Sequence, residues 1–265
     1  MRRMAPILWA AFALCLPAQQ QPGERRKVSA PIAFYDDADL VSPGTLSVST
    51  YWSGAKVPAG GDTAFPSVYF SLGLNQRFDV SGSVSYVRSR FENIQVNGVG
   101  DAYAGVKFLV FPEGRRRPAL AVKPMIEVLG EPSIVDNALA PDRVNAVLPL
   151  VLQKSFDYYR LYYMAGYVTR GIIFNSLVFE LNTWSRVTPV VIVSGSRLTR
   201  EQALISEFGL NRSRGDVVAG VAVALRPGLA VFANAGRSVG RIDLNSNRYQ
   251  VTAGMSFHVR LWGRK

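Results

Sequence analysis

The chain has 265 residues, 48% of them hydrophobic and 11% aromatic, and its formal net charge is +11 at pH 7. A membrane-spanning helix needs about 20 consecutive apolar residues, and beyond its first twenty residues the sequence has no such run. A transmembrane-helix bundle is therefore excluded, whereas the length is compatible with one large β domain or two ordinary domains.

Residues 1–18 have the pattern of a cleavable signal peptide. Arginines at the start are followed by an apolar centre from Ile7 to Leu16 and a small-residue cleavage site, so we expect cleavage after Ala18. The alternative is a lipoprotein signal at Cys15, but Leu14 stands where such a signal needs a small residue. Cleavage after Ala18 removes the only cysteine of the sequence. The mature chain then has neither disulfides nor thiolate metal ligands.

The mature chain is basic. Removal of two arginines with the signal leaves 28 basic residues against 19 acidic ones, a net charge of +9. A basic balance can indicate nucleic-acid binding, but an exported chain is not expected to meet nucleic acid. We expect anionic lipid headgroups and anionic solutes as partners of these charges, with solvated loops as the alternative.

Residues 19–42 lack strand alternation. This stretch contains Pro22, the charged run Glu24–Lys27 and the acidic pair Asp36–Asp37. We predict that it forms a periplasmic leader preceding a transmembrane domain of residues 43–265, with the option of entering that domain's open mouth.

Residues 43–265 are dominated by a period of two, in which segments of about ten residues alternate apolar with polar or small side chains. The clearest segment runs from Tyr249 to Val259. The predicted strands are 46–53, 67–74, 80–86, 101–110, 119–128, 144–153, 159–169, 174–182, 188–196, 216–225, 229–237 and 249–259. Such a pattern predicts an all-β fold, a closed antiparallel transmembrane β-barrel of about 12 strands. A soluble secreted β-sandwich is the alternative fold.

The connections alternate in length, as in bacterial barrels, where both termini face the periplasm and the periplasmic turns are short. Short links are predicted at 75–79, 112–118, 154–158, 183–187 and 226–228. Longer outer loops are predicted at 54–64, 88–100, 129–143, 197–215 and 238–247. The link at 170–173 is short where an outer loop is expected. Pro124 and Pro149 fall inside strands and cost ladder hydrogen bonds, so they predict bulges or shifted strand boundaries.

Charged and hydrogen-bonding residues occupy one set of alternate strand positions, the inward parity, whose side chains point to the lumen. This agrees with a cost of about 2 to 4 kcal/mol for a charge facing lipid at the midplane. The residues predicted to line the lumen are Asp101, Tyr103, Lys107, Lys123, Glu127, Arg160, Tyr162, Asp216, Asn234, Gln250 and His258. They have two interpretations. Either they line a pore, or Lys107, Lys123, Asp101 and Glu127 form a salt-bridged network that fills a narrow barrel. Twelve strands indicate a narrow or plugged lumen, which excludes general diffusion of large solutes.

No catalytic, cofactor-binding or metal-binding residue is predicted. His258 is the only histidine of the sequence, and we favour a structural role over that of a base beside Ser256, because no carboxylate is identified to orient it. One histidine without a cysteine does not make a metal site. The spacing around Gly98–Gly100 does not fit a phosphate-binding loop. We interpret Arg115–Arg117 as a solvated turn, and the tripeptide Arg214–Asp216 as a loop-to-strand junction.

Three stretches carry a resemblance to a known family: Asp37–Leu46, Gly100–Ala121 and Asn247–Phe257. They resemble the outer-membrane β-barrel family of transporters of the MetA-type phenol-degradation pathway. The resemblance implies a barrel of this strand number in the outer membrane of a Gram-negative bacterium. For such a barrel we expect outer-membrane lipid and, during biogenesis, the barrel-assembly machinery as partners. No cofactor is implied.

The sequence leaves three functions open. The first is a non-enzymatic, porin-like channel or transporter for small solutes, with aromatic or other small hydrophobic compounds as one class. The second is a structural or adhesive barrel that acts through its outer loops. The third is a barrel enzyme acting on lipid, and we favour the first over it because no catalytic set is identified.

Overall fold

The computed structural model describes residues 36–58, 60–91, 94–131, 143–182, 186–199, 211–240, 242–243 and 246–262. The predicted signal peptide and the leader up to residue 35 lie outside the described residues, as do most of the predicted outer loops 129–143 and 197–215. Within the described part of the chain, no helix is both long enough and apolar enough to cross a membrane.

The described residues form fourteen β segments. They are β1 (Thr45–Val57), β2 (Gly60–Gly73), β3 (Phe78–Phe91), β4 (Ile94–Val99), β5 (Ala102–Phe111), β6 (Ala119–Val122), β7 (Met125–Val128), β8 (Val144–Ser155), β9 (Tyr159–Val168), β10 (Ile172–Leu181), β11 (Val187–Leu198), β12 (Ser213–Arg226), β13 (Leu229–Val239) and β14 (Tyr249–Arg260). Both β4 and β5 pair with β3, and both β6 and β7 pair with β8. Each of these two pairs is therefore one interrupted strand, and the sheet has the twelve strands that the sequence predicts.

The sheet closes on itself. Each strand pairs antiparallel with its neighbours in chain order, and β1 pairs with β14 from Thr45 opposite Arg260 to Lys56 opposite Tyr249. Closure matters because hydrocarbon offers no hydrogen-bond partner to an unpaired sheet edge. The predicted closed antiparallel barrel is confirmed, and the β-sandwich alternative is wrong.

The barrel has two ends, which differ in their connections. We call the end where the chain enters at Thr45 and leaves at Arg260 the terminal end. Its links are short, and the ends of the flanking strands agree with all five predicted positions to within two residues, although residues 183–185 lie outside the described residues. The other end, the far end, carries the longer links 129–143, 199–212 and 240–248.

Two predicted far-end loops are wrong. The hairpin of β1 and β2 continues past a register shift between Tyr51 and Ser53 to Val57 opposite Gly60. That of β3 and β4 continues to Phe91 opposite Ile94. Most of 54–64 and 88–100 is therefore strand. The apolar alternation fades in these stretches, because a ladder that has passed the hydrocarbon layer no longer needs apolar outward side chains.

The short far-end link and the two strand prolines have local explanations. The β9–β10 connection is a tight turn in which Gly171 adopts a φ of 90° and donates its N–H to the carbonyl of Val168. Pro124 lies at the break between β6 and β7, whereas Pro149 remains inside β8 opposite Gly166. The strand boundary was therefore wrong at Pro124 but not at Pro149.

Burial alternates along the strands and separates two faces. In β8 the exposed outer face includes Val144, Leu148 and Leu150, and the buried inner face includes Asn145 and Val147. In a soluble protein such a continuous exposed apolar surface would be unusual, whereas it matches a lipid environment. The inner face is not uniformly polar as the sequence predicts. On β9 to β12 it also buries apolar side chains, namely Tyr162, Met164, Phe174, Val178, Ile192 and Val218.

Candidate functional site

The inner face near the terminal end carries three cationic side chains that the structure describes as buried. Lys107 comes from β5, Lys123 from the break between β6 and β7, and Arg160 from the start of β9, and each side chain is 5% exposed. A buried cation is stable only with anionic and hydrogen-bonding partners. The barrel wall supplies two carboxylates, with Glu180 at 2.6 Å from Arg160 and Asp79 at 3.9 Å from Lys107.

The remaining carboxylates of this site come from the leader. Its described part, residues 36–42, precedes β1, and we call Asp36–Asp39 the acidic segment. Asp36 bridges two lysines, with Oδ1 at 3.0 Å from Lys107 Nζ and Oδ2 at 2.7 Å from Lys123 Nζ. Asp37 and Asp39 both contact Arg160 Nη1, at 3.1 and 2.6 Å. The acidic segment therefore reaches all three buried cations.

Further hydrogen bonds hold the backbone of the leader. Gln153 Oε1 accepts from the Ala38 N–H at 2.9 Å, and Gln153 Nε2 donates to Asp39 at 2.9 Å. Lys107 also donates to the backbone carbonyl of Asp39 at 2.7 Å. The Val41 N–H donates to Asp79 at 3.2 Å. The option that the leader enters the barrel mouth agrees with these contacts.

Gly73 allows the backbone of the leader to pass close to the end of β2. A Cβ atom on Gly73, at the end of β2, would clash with the backbone carbonyl oxygens of Val41 and Ser42. The Gly44 N–H donates to the carbonyl of Gly73 at 2.8 Å. Only a residue without a side chain allows the leader to cross the strand end this closely.

Two leader carboxyls, those of the half-buried Asp36 and the buried Asp37, differ in protonation. Burial alone would raise the pKa of Asp36, but the ammonium groups of Lys107 and Lys123 outweigh it and hold the pKa well below its ordinary value. Burial raises the pKa of Asp37 to about 7 despite Arg160, and the neighbouring Asp39 and Asp36 carboxylates add to the rise. Asp36 is thus ionised at neutral pH, whereas Asp37 titrates there.

A second polar group lies toward the far end. Glu127 on β7 accepts hydrogen bonds from Tyr103 at 2.6 Å and Arg170 at 3.2 Å. Asp101 accepts from the Gly130 N–H at 3.0 Å. The salt-bridged network of Lys107, Lys123, Asp101 and Glu127, one of the two interpretations of these residues, is therefore wrong as a single unit. Six residues separate Asp101 from Lys107, about 20 Å along a strand, so the two pairs lie at different depths.

The other predicted lumen residues are distributed along the inner parity. Asp216 on β12 accepts from Arg214 and from Ser238, and Gln250 accepts from Asn247 at 2.7 Å. Tyr162 is buried, and its hydroxyl lies 3.1 Å from Glu180. Asn234 is buried on β13, and His258 is half-buried on β14. Ser256, considered beside His258, shares a 2.8 Å hydroxyl hydrogen bond with Ser49.

Several sequence motifs have structural explanations. The tripeptide Arg214–Asp216 lies inside β12, not at a loop-to-strand junction, and its two charged side chains pair with each other at 3.0 Å. In the turn containing Arg115–Arg117, the Arg115 carbonyl accepts from Lys154 and Arg117 lies over the ring of Phe111. Among the described residues, no group of three or more histidine, cysteine, aspartate or glutamate side chains is placed to hold a metal ion.

Asp36, Asp37 and Asp39 are not among the site residues predicted from the sequence. Gln153 and the wall carboxylates Asp79 and Glu180 are also absent from that set. A signal for the acidic segment was present. The inward parity near the terminal end holds more cations than anions, and the acidic run directly before the first strand is the nearest source of carboxylates. Gln153 gave no signal, because the strand register alone does not tell which inner residue meets the leader.

A closed barrel with an apolar outer face and charges collected inside defines the class of outer-membrane-type β-barrels. No family model and no curated protein matches the chain. Among solved structures the chain is similar to the COG4313 outer membrane channel from Pseudomonas putida F1, with a TM-score of 0.62 and 8% identity over 88% of this chain and 100% of that chain.

Two porins are also similar in fold. The NanC porin has a TM-score of 0.54 and 9% identity, over 80% of this chain and 98% of that one. The KdgM porin in complex with disordered oligogalacturonate has a TM-score of 0.50 and 10% identity over the same shares. At such identities the similarity shows the fold alone. The resemblance to the MetA-type family is not confirmed by these comparisons.

Proposed function

We propose that this protein is a channel for small solutes in the outer membrane of a Gram-negative bacterium and has no enzymatic activity. The observation that carries the proposal is a closed barrel that exposes apolar side chains outward and gathers buried charges, such as Lys107, Arg160 and Glu127, on its inner face. Similar folds described as a channel and as porins support this function.

The proposed path follows the inner face from the far end to the terminal end. We propose that the residues predicted from the sequence line it, including Tyr103, Glu127 and the cations contacted by the leader. Arg170, which pairs with Glu127, joins them. Because the acidic segment fills part of the terminal end, we expect a low conductance that admits only small solutes.

We further propose that the solutes are aromatic or other small hydrophobic compounds. The inner face of β9 to β12 supports it because buried apolar side chains, among them Tyr162, Val178 and Ile192, make that side of the interior less polar. The family resemblance seen in the sequence points in the same direction.

Conductance and uptake test the channel. Purified protein in planar bilayers should give discrete current steps, and liposomes containing it should take up a small aromatic solute faster than protein-free liposomes. Protein that shifts in gel mobility on heating, and is therefore folded, but gives neither current steps nor uptake would overturn the proposal.

Cell fractionation tests the location. We propose that the terminal end faces the periplasm, and the protein should sediment with outer membranes and resist carbonate extraction. Recovery in the soluble periplasmic fraction would contradict both statements.

A further inference from the structure

We propose that Lys107, Lys123, Gln153 and Arg160 form a binding site for small organic acids, and that the leader's carboxylates occupy this site in place of the solute. We call these four residues the organic-acid site. Its role in transport rests on the proposed channel function, whereas binding at the site does not require conduction.

The donors of the site are arranged for carboxylates. Both oxygens of Asp36 are held, one by each lysine, and Arg160 receives the carboxylates of Asp37 and Asp39 at 3.1 and 2.6 Å. Ammonium and guanidinium groups form the strongest hydrogen bonds to such oxygens. A free acid with carboxylates at similar positions would find the same donors.

The barrel wall does not neutralise these cations by itself. Of the described wall residues, Asp79 and Glu180 supply two carboxylates against three cations, and the carboxylate paired with Lys123 belongs to Asp36 of the leader. Removing the acidic segment therefore leaves one positive charge in excess and a buried ammonium without its counter-ion. Such a charge is costly unless another anion replaces the leader.

The acidic segment is a tethered ligand and not part of the sheet. It precedes β1, and its contacts with the site are ion pairs and hydrogen bonds rather than strand pairing. A tethered ligand competes with a free one at an effective concentration of about millimolar. A free acid at comparable concentration should therefore be able to displace it.

The site also has an apolar side. Ala38 stands between the carboxylates of Asp37 and Asp39, is fully buried, and joins an apolar cluster with Ala119 and Val151. The leader thus presents a small apolar group between two carboxylates. This arrangement favours organic acids with a short hydrocarbon body over inorganic anions.

Calorimetric titration of the folded, detergent-solubilised full chain with succinate tests the proposal. The triple variant Asp36→Asn, Asp37→Asn, Asp39→Asn should bind succinate at least about tenfold more tightly than the unmodified chain, because the competing leader no longer reduces the fraction of free sites. Asp157→Asn, which removes an exposed carboxylate at the same end, should leave the affinity unchanged.

Two further titrations complete the test. Adding Lys107→Gln and Lys123→Gln to the triple variant should abolish succinate binding, and the neutral succinamide should not bind to any variant. Equal affinity of the triple variant and the unmodified chain, or binding that survives loss of both lysines, would overturn the organic-acid site. Chloride competing as well as succinate at equal concentration would also overturn it. Binding without conductance would contradict only the proposed channel, and conductance without binding only this inference.

Discussion

Arg160 connects the leader to the barrel wall. Its guanidinium contacts Asp37 and Asp39 of the leader and Glu180 of β10, and it lies 5.4 Å from the centre of the Tyr162 ring. Because Arg160 and Glu180 are both buried, each depends on the other for charge compensation. Single residues of this kind couple the position of the leader to the stability of the wall.

Replacing this side chain should destabilise the barrel. Arg160→Gln leaves Glu180 as an uncompensated buried charge, and removal of one partner of a buried ion pair costs about 3–5 kcal/mol. The temperature at which the folded gel band converts to the unfolded one should fall. Arg117→Gln, at an exposed turn of the same end, is the control, and an equal conversion temperature in both variants would contradict the account.

Asp37 should make leader docking dependent on pH. Its docked pKa of about 7 lies above the ordinary value of 3.8. The protonated Asp37 carboxyl therefore contributes fully to the free energy of leader docking below pH 3.8. This contribution is lost as the pH rises through about 7. The groups around it are Arg160, Lys107, Asp39 and Asp36, of which Asp36 weakens docking only in strong acid because its pKa is lowered.

Conductance is the measurement for this effect. The mean current should increase as pH rises through neutrality, and Asp37→Asn should remove most of the increase. A current that falls over the same range, or an equal dependence in the variant, would show that Asp37 does not control docking.

The elements differ in how well the sequence predicts them. The twelve strands are predicted by the alternation of apolar and polar side chains. Each strand, such as β8 or β14, alternates because its outward side chains face lipid and its inward ones face polar groups. The extensions of β1 to β4 were missed since that constraint ends beyond the hydrocarbon. Lys107, Lys123 and Arg160 could be placed on the inward parity, but their partners could not, because the leader has no periodicity.

A substitution at Gly73 tests the role of the leader without changing any charged residue. Gly73→Ala places a methyl group against the backbone of Val41 and Ser42, so the leader should be displaced and the conductance should rise. In Gly114→Ala the new Cβ would meet only the Arg117 side chain at 3.9 Å. The two variants should therefore differ, and an unchanged conductance in both would mean that the leader does not restrict the path.

The outer face of β8 provides a test of membrane insertion. Leu150→Lys near the strand centre should cost about 2–4 kcal/mol, whereas Val144→Lys at the strand end should cost about 0–1 kcal/mol. Urea unfolding of protein folded into phospholipid vesicles measures both. A similar cost at both positions would argue against an apolar layer centred on the strand.

At the scale of the whole molecule, closure and charge distribution belong together. The ring of strands turns one face to lipid and forces the remaining side chains into a narrow interior, where buried cations need anions. The wall supplies Asp79 and Glu180, and the acidic segment, contributed from outside the sheet, supplies the remaining carboxylates. The whole arrangement therefore depends on the contact of β1 with β14, which joins the first strand to the last.

A disulfide across this seam is the most direct test. Ser49 and Ser256 are opposite each other with hydroxyl oxygens 2.8 Å apart and 207 positions apart in sequence. The Ser49→Cys, Ser256→Cys variant should oxidise readily and migrate faster on a denaturing, non-reducing gel. The pair Ser49→Cys, Thr252→Cys, offset by about 13 Å along the strand, should not. Folded protein in which the first pair fails to cross-link would show that the barrel is open.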